Sequence, residues 1–199
     1  MLIFEQLKDC VMKNLIYFII VILTLNSCKK EDANGFKIYT IKEGNHKSTN
    51  SFNTMSSNEL VFEAIFDESA KYESVLPENQ YAINKLYGFA DNNQHHQKNS
   101  ARFGWRWSTT DNIIEIYAYV YNNEVMSNEY ITSVGFNETH TYSILVEPDS
   151  YVFTVDNVVI SMDRTNKYDR GMNYILYPYF GGDETAPHDI KIRIKELKN

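Results

Sequence analysis

The stretch SARFGWRWSTTDNIIEIYAYVYN, Ser100 to Asn122, decides the fold. Side chains in a strand alternate between two faces. In the first half of the stretch this puts Phe103, Trp105 and Trp107 on one face and Arg102, Gly104 and Arg106 on the other. In the second half Ile114, Ile116, Ala118 and Val120 share a face opposite Glu115, Tyr117, Tyr119 and Tyr121. The period is two, and the purely aromatic and aliphatic sets mark the core side. If these two strands are neighbours, their other side pairs arginines with a row of tyrosines and one carboxylate.

The same period recurs along the chain. It is read in FKIYTI near Phe36, ELVFEAIF near Glu59, INKLYGF near Ile83 and TYSILVE from Thr141, then in YVFTV from Tyr151, VVISM from Val158, YILYPYF from Tyr174 and DIKIRIKEL from Asp189. No long stretch after Phe36 has a helical apolar period. Asn122-Asn123 and Asp156-Asn157 read as tight hairpin turns, because Asn and Asp tolerate the left-handed backbone such turns require. Gly44 to Asn58 is polar and reads as a loop or a weak edge strand. About ten strands without crossover helices predict one all-β domain over residues 36–199, an antiparallel two-sheet sandwich of jelly-roll or concanavalin-A-like type.

The N-terminal end reads differently. Met12 opens a run in which Lys13 precedes an apolar segment, Leu15 to Leu25, too short to span a bilayer. Residues 1–27 are expected to be a signal peptide, with the true start at Met12. Leu25-Asn26-Ser27-Cys28 resembles the lipobox of bacterial lipoproteins, which implies cleavage before Cys28 and acylation of that residue. Residues 28–35 are then a lipidated cysteine and its tether. Lys29-Lys30-Glu31-Asp32 resembles the export signal of Bacteroidetes surface lipoproteins. The expectation is an outer-membrane lipoprotein, surface-exposed or facing the periplasm. Beyond Cys28 the chain has no cysteine, so disulfides, thiol nucleophiles and cysteine-ligated zinc are excluded there.

The net charge is −7 and the basic residues are scattered, which argues against a nucleic-acid partner. Tyrosine is abundant, 15 of 199 residues, so the faces those rings occupy decide what they do. A sheet face carrying Arg102, Arg106, Glu115, Tyr117, Tyr119 and Tyr121 suits a sugar, since rings stack on pyranoses and charged groups orient hydroxyls or carboxylates. Tyr177 joins this ligand-binding set. His95 and His96 lie in a loop before Arg102, from which one of them is able to fold over the same face. No HEXXH-type zinc helix is present. A histidine near Arg102 and Tyr117 is suited to moving a proton beside a carboxylate. Asp183, Glu184 and Asp189 cluster around Gly181-Gly182 and Pro187 as candidate calcium ligands, the only cofactor the sequence raises. Lys167 and Arg170 read as solvated.

The pair HHQKNSARFGWRW and LYPYFGGDETAPHDIKIRI resembles a group of Bacteroidetes surface lipoproteins with a concanavalin-A-like or jelly-roll domain, over about Ile83 to Leu197. The wider class includes carbohydrate-binding modules and polysaccharide lyases of the alginate-lyase type. Resemblance to those lyases implies a Gln/His/Arg/Tyr set. Here Gln94 or Gln97, His95 or His96, Arg102, and Tyr117 or Tyr177 supply the residue types. The RSELR-like and YFKAGxYNQ-like strands of those lyases are missing, and SARFGWR and YPYFGG occupy loosely similar places. The expectation is a membrane-anchored protein that binds a polysaccharide on the Tyr/Arg face. The alternatives are a β-eliminating lyase with His95, His96, Arg102 and Tyr117 as catalytic residues, or a non-catalytic assembly or adhesion module.

Overall fold

The computed structural model describes residues 31–49, 52–166 and 173–197. The readings placed on Met12, Cys28, Lys29, Lys30, Lys167 and Arg170 lie outside the described residues. No helix among the described residues is long and apolar enough to cross a membrane.

Among the described residues twelve strands form two antiparallel sheets of six. The first sheet has the order β1 (Lys37–Ile41), β12 (Ile190–Leu197), β3 (Glu59–Phe66), β8 (His140–Val146), β9 (Ser150–Val155) and β10 (Val158–Asp163). The second has the order β2 (Thr54–Met55), β11 (Asn173–Leu176), β4 (Asn84–Ala90), β5 (Asn99–Ser108), β6 (Ile113–Asn122) and β7 (Val125–Val134). The architecture is the jelly-roll sandwich the periodicity predicts. β5 and β6 are neighbours in continuous register from Asn99↔Asn122 to Ser108↔Ile113.

Alternation places the core where the sequence puts it. Phe103, Trp105, Ile114, Ile116, Ala118 and Val120 are fully buried, and Trp107 nearly so. They face Phe62, Tyr142 and Phe153 of the first sheet across a layer of rings. Phe62 stacks on Tyr142 at 5.1 Å, and Phe103 meets Phe153 edge-on at 5.2 Å. Such rings contribute burial and a preferred mutual geometry together.

Two turns and two register shifts set the local detail. The β6–β7 turn sits at Asn123 and Glu124, both with positive φ, one residue later than expected, because Asn122 still pairs with both Asn99 and Val125. The β9–β10 turn is at Asp156-Asn157 as expected, with positive φ at Asp156. A register shift in β4 sets both Leu86 and Tyr87 against the core and leaves Lys85 and Gly88 on the outer face. A second shift, between β6 and β7, turns Ile131 inward and brings Tyr130 opposite Tyr117. Both are bulges, which re-aim the side chains beside them. They shape the outer face of the second sheet.

Candidate functional site

That outer face divides into two clusters. The first centres on Arg102, which pairs with Gly88 on one side and Tyr119 on the other. Gly88 is needed there: a Cβ would lie 2.2 Å from the Ala101 carbonyl oxygen and 2.8 Å from Arg102 Cγ. The arginine stem therefore lies flat over a strand with no side chain at that point. Its guanidinium carbon is 5.6 Å from the centre of the Tyr119 ring, and Lys85 Nζ lies 4.6 Å from the same ring. Two cations share one aromatic ring.

Arg102 is only 7% exposed although it is on the outer side of the sheet. Among the described residues its buried Nε has no hydrogen-bond partner. Burial pushes the guanidinium below its ordinary pKa, and the groups that oppose this are the tyrosines Tyr119, Tyr121, Tyr174 and Tyr179; no carboxylate is among them. Lys85 donates to the Ile83 carbonyl at 2.8 Å. Burial, and then the charge of Arg102, bring its ammonium pKa down to about 8. Tyr179 is held beside it by two backbone hydrogen bonds to Lys85, of 2.8 and 2.9 Å, and its ring stacks on His46 at 5.3 Å.

The histidine loop does fold back. His95 and His96 have ring centres 4.4 Å apart. Ser100 Oγ donates to the His96 carbonyl at 2.6 Å and the Lys98 amide donates to that of His95 at 2.7 Å, so the loop is tied to the start of β5. His96 takes the Arg102 side: burial first and the Arg102 charge second bring its pKa down to about 4, leaving the imidazole neutral at pH 7. His95 takes the other side, where it lines an open depression of about 540 Å³ with Gln97, Lys98, Tyr121 and Glu124.

The second cluster lies further along β5 and β6. Arg106 Nε donates to Glu115 Oε2 at 2.7 Å, and the Tyr117 hydroxyl donates to the same oxygen at 2.7 Å. The Arg106 guanidinium lies 5.5 Å from the Tyr81 ring and 5.4 Å from the Tyr117 ring. Tyr130 meets Tyr117 edge-on at 5.8 Å. Burial and the bond to Glu115 push the Tyr117 phenol up to about 12.

The sequence-predicted residues are thus distributed unequally. Arg102, Tyr119, Tyr121 and His96 come together, and Arg106, Glu115 and Tyr117 form their own group. Tyr117 does not join His96 as the proton-moving set requires, since its hydroxyl is held by Glu115 and its ring by Arg106. Tyr177 is a correction. It shares the parity of buried Ile175, so it packs inward at 5.5 Å from Tyr39 and 5.6 Å from Tyr87. The carboxylates proposed for calcium do not converge. Glu184 accepts from the Val75 and Leu76 amides and from Asn79 Nδ2, while Asp189 accepts from Lys42 Nζ and the Glu43 amide. Among the described residues no group of three His, Cys, Asp or Glu is arranged to hold a metal ion. Lys85, Tyr81, Tyr130, Tyr174 and Tyr179 were not anticipated.

No protein-family model and no curated protein matches the sequence. Solved structures do match. The chain superposes on alginate lyase AlyC3 with a TM-score of 0.59 and 9% identity, covering 86% of this chain and 77% of that one. The chain has a jelly-roll fold. It is similar at the same level to a non-specific endo-β-1,3(4)-glucanase, SCLam, of glycoside hydrolase family 16, with a TM-score of 0.54, 11% identity and coverage of 81% and 69%. The laminarinase catalytic domain of Thermotoga maritima gives 0.53, 11%, 87% and 81%. At these identities the likeness is one of fold.

Proposed function

We propose that the protein binds an acidic polysaccharide on the outer face of the second sheet, with the acidic group of one sugar unit held between Arg102 and Lys85. The observation that carries this reading is the buried, unpaired Nε of Arg102. A buried charge without a counter-ion costs several kcal/mol, and stacking on one tyrosine returns about 0.5–2 kcal/mol of it. An anion supplied from outside completes the site. Tyrosine faces at Tyr119, Tyr121, Tyr174 and Tyr179 suit a sugar ring attached to that anion. The jelly-roll likeness to enzymes named for alginate and glucans supports a saccharide over a small free anion. Affinity electrophoresis of the protein through gels containing a polyuronate or a neutral β-glucan tests it. Retardation by the polyuronate is expected; equal mobility in both gels and in plain gel contradicts it.

His96 supports a second reading, β-elimination. Its imidazole is neutral at pH 7 beside the cation that would neutralise a uronate carboxylate. In that reaction the base takes the proton on the carbon next to the carboxyl group, a carbon–carbon double bond forms, and the bond from the ring to the glycosidic oxygen breaks, that oxygen taking up a proton from an acid or from water to leave as a hydroxyl. Growth of ultraviolet absorbance from the unsaturated product, lost in His96→Ala, is the result this reading requires. Its absence with alginate, glucuronan and pectate leaves the binding module.

We also propose membrane anchoring through acylated Cys28, which rests on the lipobox resemblance of Leu25 to Cys28. Incorporation of a labelled fatty acid in cells, abolished by Cys28→Ala, is the expected result.

A further inference from the structure

The outer face is chemically asymmetric across its strands. On the β4–β5 side Lys85 and Arg102 converge on the Tyr119 ring, and among the described residues the groups that act most on either cation include no carboxylate. On the β6–β7 side the cation is already matched. Arg106 is bound to Glu115 through Nε at 2.7 Å and through its terminal nitrogen at 2.5 Å, with Tyr117 closing on the same carboxylate oxygen. The rings there are the most open on the face: Tyr81 is 72% exposed and Tyr130 50%. Tyr81, Arg106, Tyr117 and Tyr130 form a row, each in contact with the next.

The strand register connects the two halves. Lys85 pairs with Gly104, Gly104 with Tyr117, and Tyr117 with Tyr130. A line across the sheet from Lys85 to Tyr130 spans three strand spacings, about 14 Å. It passes from a site that demands negative charge to one that offers exposed rings and a satisfied ion pair. A carboxylate placed over the second half would meet Glu115, and like charges at close range are disfavoured. A neutral sugar would meet only ring faces and hydrogen-bonding edges.

We infer that the ligand is a mixed polysaccharide, in which an acidic unit over Arg102 and Lys85 is followed, a few rings away, by a neutral unit seated between Tyr117, Tyr130 and Tyr81. This rests on the acidic-polysaccharide reading and specifies its substrate class. Glu115 is then a selectivity residue. It cancels the charge of Arg106 and so prevents a second acidic unit from being accepted.

Two probes separate the alternatives: a homopolymeric uronate oligosaccharide and an oligosaccharide of hyaluronan, in which uronate and N-acetylhexosamine alternate. Dissociation constants are measured by titration calorimetry for the wild-type protein and for Glu115→Gln, which keeps an acceptor for the Tyr117 hydroxyl. The wild type is expected to bind the alternating oligosaccharide about tenfold more tightly than the homopolymeric one. Glu115→Gln is expected to raise affinity for the homopolymer several-fold and erase that preference, because Arg106 becomes a free cation. Tyr81→Ala, at an exposed position where folding is not at stake, is expected to weaken only the alternating ligand. Homopolymer binding equal to or tighter than that of the alternating ligand, with no gain in Glu115→Gln, overturns the inference and leaves the anion site standing. Arg102→Gln, run beside these, reports on the underlying reading: unchanged affinity for both acidic ligands in that variant overturns the anion site itself.

Discussion

Among the described residues two arginines are buried in this sandwich, and they are treated in opposite ways. Arg164, 5% exposed, follows β10 and reaches Asp91 at the end of β4. Its Nε donates to Asp91 Oδ2 at 2.9 Å, a terminal nitrogen donates to the Glu147 carbonyl at 3.2 Å, and Tyr151 donates to the same Asp91 oxygen at 2.6 Å. Arg102 is 7% exposed and has a tyrosine ring, a neighbouring lysine and an orphaned Nε. Similar burial with dissimilar satisfaction separates a charge that ties loops together from the charge to which the proposed function assigns a ligand. Buried polar groups in folded proteins are nearly always bonded, and among the described residues the buried unpartnered atoms include Trp105 Nε1 and Tyr142 Oη in the core, so what sets Arg102 Nε apart from those two is that it belongs to a charged group on the outer face.

The largest expected effect breaks the satisfied member. Asp91→Asn removes the buried carboxylate from Arg164 and should cost about 3–5 kcal/mol of stability, read from urea unfolding. A loss below about 1 kcal/mol would mean that the two arginines are not different in kind.

The next concerns the partner of the unsatisfied member. Lys85 has a folded pKa of about 8 against 10.5 in the unfolded chain. Below pH 8 it is charged in both states, and between these values the unfolded state binds more protons, so its contribution makes stability rise with pH across that window. Ligand affinity moves the other way, because the cation is lost. Affinity for a polyuronate should fall several-fold between pH 7 and pH 9, and Lys85→Met should abolish that fall. A flat profile in the wild-type protein would remove Lys85 from the site.

The smallest effect is at His96, whose folded pKa of about 4 lies below its ordinary 6.5. As pH drops from 6.5 toward 4 the unfolded chain takes up a proton that the folded chain does not, so stability declines over that window. His96→Gln should flatten the decline in a series of thermal unfolding curves. An unchanged slope would place the imidazole away from Arg102.

The parity of two strands made much of this legible from sequence. Phe103, Trp105 and Trp107 against Arg102 and Arg106, and Ile114 to Val120 against the tyrosines, give the core, the outer face and, once β5 and β6 pair, the meeting of Arg102 with Tyr119. What alternation cannot supply is set by irregularity and by distance along the chain. Lys85 reaches the face because of a bulge at Leu86 and Tyr87, and Tyr130 because of another at Ile131. Tyr179 arrives from beyond Pro178, outside any strand, through backbone bonds to Lys85. Tyr177, read as a face residue by its company in LYPYF, follows instead the inward parity of Ile175. Glu184 and Asp189 look like a cation site in sequence because their true partners, Asn79 and Lys42, are more than a hundred residues away.

The most direct test of the central claim is a titration of the protein and its Arg102→Gln variant with a uronate oligosaccharide, with unfolding measured on the same samples. Arg102→Gln is expected to lose about 1.4–2.8 kcal/mol in binding, a 10- to 100-fold weakening, with stability unchanged or increased, because an unpaired buried charge has been removed. Unchanged binding together with a large loss of stability would show that Arg102, like Arg164, belongs to the scaffold.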